Sequence, residues 1–174
     1  MESEDNSARL PQRTKSVREL LAAIERLRGD GQSSALATTL RQLGEAERKS
    51  GDRASARKHY EEAVGILRRR PDSLLLAHTV RHLGDVYRDL GEMPLARLCC
   101  EEALTLYRSH PNAAALDVAN SVRSMALVEQ AFGNLQAARQ LWKEARDAYQ
   151  ALGVSAGVAE CEQRVQGLDD SFIS

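Results

Sequence analysis

Apolar residues recur at helical spacing along most of the chain, and glycines and prolines interrupt them at regular intervals. On a helix near 36–50, the apolar face carries Leu36, Leu40 and Leu43. Gly51 can adopt the left-handed conformation that closes this helix, and Asp52 can cap the next one. The same turn signal recurs at Gly91 and Gly133. The pattern therefore predicts pairs of helices joined by tight turns.

The residues around these turns form an internal repeat, with spacings of 40 and 42 residues. Each unit contains a Leu-Gly pair or its equivalent: Leu43-Gly44, Leu83-Gly84 and Met125-Ala126. After the turn glycine, each second helix carries an alanine, a bulky residue and another alanine. These columns are Ala56, Ala96 and Ala138, then Tyr60, Cys100 and Trp142, then Ala63, Ala103 and Ala145. A repeat of this length is typical of a solenoid.

The small residues have a steric explanation. Two antiparallel helices joined by a short turn approach to about 8–10 Å, which leaves little room for side chains where they cross. We therefore expect the Leu-Gly column of each first helix to face the first alanine column of the second helix. The bulky column is expected to fill the space beside the crossing.

The repeat resembles the tetratricopeptide repeat, whose pattern combines Leu-Gly, Tyr, Gly, Ala and Pro at fixed positions. The second unit carries these as Leu83, Gly84, Tyr87, Gly91, Ala96, Ala103 and Pro111. Its period exceeds the family's usual length of about 34 residues and is similar to the long repeats of kinesin light chains and many bacterial regulatory proteins. The chain departs from the pattern at Glu47 and Glu129, where tyrosine is usual, at Cys100, where an aromatic residue is usual, and at Met125-Ala126. The resemblance implies an all-α fold, a right-handed superhelical array of antiparallel helix hairpins with capping helices at both ends.

The predicted boundaries follow from the repeat and from the composition of the two ends. Residues 1–13 are polar and lack an apolar period, so we expect a disordered tail, followed by a single domain over 14–168. Ser16-Val-Arg-Glu19 resembles a capping box and predicts an N-terminal helix over 16–28. The repeats are expected at about 36–71, 72–111 and 113–153, with second helices near 53–69, 93–109 and 135–151. A capping helix is predicted over 155–168, and a tail over 169–174.

The resemblance also implies where a ligand would bind, because the first helix of each hairpin lines the concave side of such an array. The groove-facing positions lie at i, i+3, i+7 and i+10 of each first helix. Here they are Thr38, Arg41, Glu45 and Arg48, then His78, Arg81, Asp85 and Arg88, then Asn120, Arg123, Leu127 and Gln130. Five arginines and two carboxylates give this stripe a formal charge of +3, which favours an acidic ligand. The alternative is that the charges pair along each helix, since Arg41 and Glu45 are four residues apart.

These positions predict a protein–protein interaction scaffold that binds an acidic segment of a peptide or partner protein, without catalysis, cofactor or metal. Self-association through incompletely covered end helices is the alternative function. Binding of chaperone C-termini is not predicted, because Glu45 stands where the clamp of such family members requires asparagine. The acidic tail 169–174 is a further candidate for the groove of a neighbouring copy.

Composition argues against several other classes of protein. The formal net charge is -1, and neither a basic, apolar leader nor a long apolar run is present, so we expect a cytoplasmic protein that binds neither nucleic acid nor membrane. Cys99, Cys100 and Cys161 form no even framework and are expected to be reduced, with Cys99 and Cys161 open to exposure. His78 and His82 have the i, i+4 spacing of metal ligands, but the sequence fixes no third ligand. We therefore expect solvated histidines there instead of a metal or enzyme site.

Overall fold

The computed structural model describes residues 9–29, 33–69 and 73–171, which fold into eight α-helices joined by short turns. The helices are α1 (Arg9–Gly29), α2 (Ser33–Ser50), α3 (Arg53–Leu67), α4 (Ser73–Asp89), α5 (Met93–Ser109), α6 (Ala115–Ala131), α7 (Leu135–Ala151) and α8 (Ser155–Ser171). These residues contain no β-strand, and the predicted all-α fold is confirmed.

The helices belong to two compact units, Met1–Pro71 and Asp72–Ser174. In the first unit, α2 packs against both α1 and α3. In the second unit, each helix from α4 to α7 packs against the next one, and α4 also contacts α6. The boundary between the units coincides with the predicted junction between the first and second repeats. The single domain over 14–168 and the right-handed superhelix stay predictions.

The turns between paired helices have the geometry that their glycines predict. α3, α5, α7 and α8 each begin two residues after a glycine with positive φ. These glycines are Gly51, Gly91, Gly133 and Gly153, with φ of 92°, 79°, 77° and 69°. In the first turn, the amide of Asp52 donates to the carbonyl of Glu47 at 3.0 Å. This is the 6→1 hydrogen bond of a Schellman motif. Asp52 Oδ1 also accepts from the amide of Ser55 at 3.0 Å, which caps α3 and lowers the pKa of Asp52.

The N-terminal boundary differs from the prediction. α1 begins at Arg9, so residues 9–13 belong to a helix and not to a disordered tail. The predicted capping box at Ser16–Glu19 therefore lies inside α1 and cannot mark its start. Pro11 is compatible with this longer helix, because a proline in the first turn removes no helical hydrogen bond. Residues 1–8, the remainder of the predicted tail, lie outside the described residues.

The C-terminal helix is also longer than predicted. α8 ends at Ser171, so the first residues of the predicted tail at 169–174 are helical. Asp169 accepts hydrogen bonds from Arg139 of α7, including one of 3.2 Å from Nη2 to Oδ2. This contact ties the last turn of α8 to α7, and the hydrogen bond lowers the pKa of Asp169. Residues 172–174 lie outside the described residues.

Close approach of the paired helices explains the small residues at the crossings. A Cβ added to Gly44 would lie 2.9 Å from the Tyr60 ring and 3.3 Å from the carbonyl oxygen of Ala56. One added to Gly84 would lie 3.0 Å from Cys99 Cβ and 3.4 Å from the carbonyl oxygen of Ala96. The predicted placement of this column is therefore confirmed for the first two hairpins. Gly157 of α8 makes a similar approach to Tyr149 of α7, at 2.7 Å, although no Leu-Gly pair marks it in the sequence.

The two glutamates that replace the usual tyrosine are held by polar partners on neighbouring segments. Glu47 Oε2 lies 2.6 Å from Nδ1 of His59, across the hairpin of α2 and α3, and burial raises the pKa of Glu47. Glu129 is buried on α6, where it accepts from Asn134 Nδ2 at 2.6 Å and pairs with Arg97 of α5 at 3.1 Å. Charge-assisted hydrogen bonds therefore replace the packing of an aromatic ring at both positions.

All three cysteines are buried, which corrects the expectation that Cys99 and Cys161 are open to exposure. Burial raises the pKa of Cys100 to about 12 and that of Cys161 to about 11. Because the thiolate is the reactive form of cysteine, these thiols serve as small core residues and not as nucleophiles.

Candidate functional site

The second unit brings two rows of predicted groove residues onto helices that contact each other, α4 and α6. The first row is His78, Arg81, Asp85 and Arg88 on α4, and the second is Asn120, Arg123, Leu127 and Gln130 on α6. We call the surface that carries these eight residues the α4–α6 face.

A buried carboxylate organises the α4 side of this face. Asp85 is 7% exposed, and its Oδ1 accepts from Arg88 Nη1 at 2.8 Å and from Ser124 Oγ of α6 at 3.5 Å. Arg81 Nη1 and His82 Nδ1 lie 3.8 and 3.9 Å from Oδ2. A buried carboxylate requires such partners to remain ionised. Asp85 thus binds Arg88 by a hydrogen bond and attracts Arg81 at longer range.

The third arginine of the α4–α6 face, Arg123, binds a carboxylate from α8. Arg123 Nε and Nη2 donate to the two carboxylate oxygens of Glu160 at 2.7 and 2.6 Å. This bidentate contact raises the pKa of Arg123 and lowers the pKa of Glu160, and in both residues the side-chain hydrogen bond is the largest cause. About a third of each side chain remains exposed. The guanidinium is therefore oriented and still reachable from solvent.

Glu160 is a member of the site that the repeat pattern did not identify. It is the sixth residue of α8, the same place that His78 occupies in α4 and Asn120 in α6. α8 thus presents a residue to the face as a first helix of a hairpin would, in addition to covering α7. Gly153 begins α8 at the same offset at which the other turn glycines begin second helices, so no local pattern in the sequence identified Glu160 as a residue of the face.

With Glu160 included, the charge of the face in the second unit is smaller than the predicted stripe suggests. Three arginines, Arg81, Arg88 and Arg123, oppose two carboxylates, Asp85 and Glu160, for a formal charge of +1. The face is therefore a network of fixed, nearly balanced charges, and the arginines are not free cations.

The amides of α6 are fixed by the aromatic residues of α7. Asn120 Oδ1 accepts from the Tyr149 hydroxyl at 2.7 Å, and Gln130 Oε1 accepts from Trp142 Nε1 at 3.2 Å. Both bonds use the amide oxygen, which leaves the NH₂ group of each side chain as a donor for a ligand. Leu127 packs against the core of the second unit. The aromatic core thus supports the polar residues of the face.

The remaining predicted groove residues lie on α2, in the first unit. Glu45 Oε2 is 3.7 Å from Arg41 Nη1, and Glu45 Oε1 is 2.5 Å from Lys49 Nζ, while Arg48 is half-buried one turn further along α2. Pairing of charges along one helix, the alternative interpretation of the sequence, therefore describes Arg41 as well as Arg81 and Arg88.

The histidines of α4 contact each other and do not stand apart in solvent, with their Nε2 atoms 3.2 Å apart. In the described part of the chain, no cluster of three or more His, Cys, Asp or Glu side chains has an arrangement that could hold a metal ion. No helix there is long and apolar enough to cross a membrane.

Comparison with protein families identifies these hairpins. A family model described as "Tetratricopeptide repeat" matches residues 35–109 and 72–151, which together cover well over half of the chain. Such repeats generally mediate protein–protein interactions and typically form non-enzymatic scaffolds. Comparison with curated protein sequences gives no match.

Solved structures share the architecture at low sequence identity. BtubC (BKLC) from P. vanneervenii is 23% identical with a TM-score of 0.74, over 98% of this chain and 68% of that one. A kinesin light chain-like array of nearly identical TPR-like repeats from Podosopora anserina is 17% identical with a TM-score of 0.66, over 94% of this chain and 90% of that one. The N-terminal domain of stress-induced protein-1 from C. elegans is 19% identical with a TM-score of 0.56, over 75% of this chain and 97% of that one. At these identities the similarity establishes the fold alone.

Proposed function

Because the chain belongs to the tetratricopeptide repeat family, we propose that it is an interaction scaffold that binds an acidic segment of a partner protein on the α4–α6 face. The observation that carries this proposal is the orientation of two arginines by hydrogen-bonded carboxylates, Arg88 by Asp85 and Arg123 by Glu160. A side chain that is already held in place loses less conformational entropy when a ligand binds, so preorganisation favours affinity.

Hydrogen-bond donors of the face that are not used in contacts within the protein determine which ligand groups can bind there. Arg123 binds Glu160 through Nε and Nη2, and its guanidinium carries further N–H groups on Nη1. The amide groups of Asn120 and Gln130 lie on the same helix. Carboxylate and main-chain carbonyl oxygens of an extended segment are the natural acceptors for these donors. The small formal charge of +1 supports a segment with a few acidic residues, not a polyanion.

Affinity purification with the full chain as bait tests this proposal. Arg88→Gln combined with Arg123→Gln should release partners that the wild type retains, and partner binding by the wild type should weaken as the salt concentration rises. Arg108→Gln combined with Arg146→Gln is the matched control, because it removes the same charge from α5 and α7. Circular dichroism must first show that both variants are folded. Retention of every partner by the first variant would reject the assignment to this face.

Self-association is the second candidate function, and one observation favours it. Leu21 on α1 is 44% exposed, so the N-terminal helix of the first unit offers an apolar side chain to a second copy. On α8, by contrast, the apolar residues Val158, Val165 and Leu168 pack into the core of the second unit.

A cytoplasmic location stays a prediction from the sequence.

A further inference from the structure

Two histidines on α4 face each other across one turn of the helix. The Nε2 atoms of His78 and His82 are 3.2 Å apart, and the rings meet edge to face with centroids separated by 4.6 Å. Arg81 Nη2 lies 3.1 Å from the same Nε2 atom of His82. On the other side of the pair, the hydroxyl of Tyr107 on α5 lies 3.4 Å from His78 Nδ1. Both imidazoles therefore belong to one chain of hydrogen bonds.

The donor-only chemistry of arginine determines which ring nitrogen of each histidine carries the proton. A guanidinium can only donate hydrogen bonds, so His82 Nε2 must accept from Arg81 and carries no proton. The proton of a neutral His82 then lies on Nδ1, which faces Asp85 Oδ2 at 3.9 Å. Because His82 Nε2 is an acceptor, its contact with His78 Nε2 requires the proton of His78 to lie on that atom. His78 Nδ1 then accepts from the hydroxyl of Tyr107.

We propose that His78 and His82 form a coupled pair of neutral imidazoles with opposite tautomers, and that uptake of protons opens the pair and makes the α4–α6 face more positive. The proposal concerns regulation of the face, and in that part it rests on the proposed function.

The charges around the pair explain why added protons open it. A proton on His82 Nε2 would point at the donors of both Arg81 and His78, so three N–H groups would converge on one point. The rings must then separate. Carboxylates already lie close to the two Nδ1 atoms: Asp85 near His82, and Asp117 of α6 at 3.9 Å from His78. Each imidazolium thus has an acidic partner to approach.

The consequence for binding follows from the charge count. The arginines and carboxylates of the face sum to +1, and protonation of His78 on the face and of the neighbouring His82 adds two positive charges. Protonated His82 also competes for Asp85, which anchors Arg81 and Arg88. Imidazoles ordinarily titrate near pH 6.5, where glutamate side chains of a ligand remain ionised. Acidic segments should therefore bind about fivefold more tightly at about pH 5.5 than at about pH 7.5.

The first test uses the protein without a ligand. Long-range ¹H–¹⁵N spectra of the full chain, with histidine assignments from His78→Gln and His82→Gln, report which ring nitrogen carries the proton. At about pH 7.5 we expect the Nε2–H form for His78 and the Nδ1–H form for His82. Each substitution should also shift the pH midpoint of the remaining histidine. An Nε2–H form of His82, or two independent titrations, would overturn the pair. Nδ1–H forms of both histidines, together with spectral changes on addition of Zn²⁺, would indicate a metal site and would also overturn the pair.

The second test measures binding of a fluorescent oligoglutamate peptide at the two pH values and at constant ionic strength. The wild type should show the fivefold change, and His78→Gln with His82→Gln should abolish it. His59→Gln with His110→Gln is the matched control and should preserve it. Peptide binding that is equal at both pH values would refute the regulation while sparing the proposed function. The predicted tautomers together with no peptide binding at either pH would refute the proposed function and keep the histidine pair.

Discussion

At the scale of single residues, the arginines of the α4–α6 face differ in how safely they can be changed. Arg81 is buried beside Asp85, and removal of one partner from a buried ion pair typically costs about 3–5 kcal/mol. Arg123 and Glu160 are each about one-third exposed, so solvent screens their attraction and its loss costs less. Substitutions at Arg123 therefore test binding with less risk to folding than substitutions at Arg81.

Glu160→Gln should lower the free energy of unfolding by about 1 kcal/mol at neutral pH. The hydrogen bond from Arg123 lowers the pKa of Glu160 in the folded protein, so the ionised form is the stabilising one. Its contribution is complete above the pKa of the unfolded chain, about 4.3, and is lost as the pH falls through the lower folded-state value. Urea unfolding of the wild type and the variant should show a difference at about pH 7 that shrinks towards about pH 3.

Glu162→Gln provides the control for this measurement, because it removes the same charge from an exposed position on α8. It should change the free energy of unfolding by less than about 0.5 kcal/mol at either pH. An equal cost of Glu160→Gln at both pH values would show that the residue acts through packing instead of through its charge.

At the scale of the helices, turn chemistry and crossing geometry made most of the fold predictable. Gly51, Gly91 and Gly133 gave the starts of α3, α5 and α7, because a left-handed residue ends one helix and a fixed offset begins the next. The start of α1 was less predictable, since Ser16 and Glu19 satisfy the capping pattern inside a helix as well as at its start. Local patterns of this kind predict the presence of a helix better than the residue at which it begins.

Ala96→Leu should destabilise the second hairpin by about 1–3 kcal/mol. Ala96 is fully buried where α5 crosses α4, and its carbonyl oxygen would lie 3.4 Å from a Cβ on Gly84, so the crossing has no room for a larger side chain. Thermal unfolding followed by circular dichroism should therefore show a lower Tm. Ala137→Leu is a suitable control, because Ala137 is exposed on α7. An unchanged Tm for Ala96→Leu would contradict this placement of the crossing.

The sequence predicted which residues of the candidate site share a face of one helix, but not the contacts between residues on different helices. Helical periodicity placed Arg81, Asp85 and Arg88 on one face of α4, and the structure brings Arg81 and Arg88 to the same carboxylate. The pairing of Arg123 with Glu160 spans 37 residues, so no local spacing reveals it. The structure alone shows this ion pair, because α8 packs against α7 and places Glu160 near Arg123. Gly157 permits the packing by its close approach to Tyr149.

At the scale of the whole molecule, the chain comprises a unit with α1, α2 and α3 and a larger unit with α4 to α8. The α4–α6 face lies entirely within the larger unit, which therefore contains all the residues of the proposed binding and regulation. The exposed Leu21 lies in the smaller unit. The proposed partner binding and the proposed contact through Leu21 therefore involve different units and can be tested separately.

Light scattering over a range of protein concentrations separates these two functions. If the exposed apolar side chain on α1 mediates self-association, the average mass should rise with concentration, and Leu21→Lys should reduce this rise by opposing burial of the surface. Leu152→Lys changes an exposed leucine after α7 and should leave the mass unaffected. A wild-type mass that stays at the monomer value over the whole range eliminates self-association.

The burial of Cys99, Cys100 and Cys161 has a practical consequence for such experiments. With the pKa of Cys100 near 12 and that of Cys161 near 11, almost none of either thiol is ionised at neutral pH, where maleimides select the thiolate. A cysteine introduced on the solvent side of the α4–α6 face can therefore receive a fluorophore or spin label while the native cysteines are left in place. Distances and mobilities at the face then become measurable in the otherwise unaltered protein.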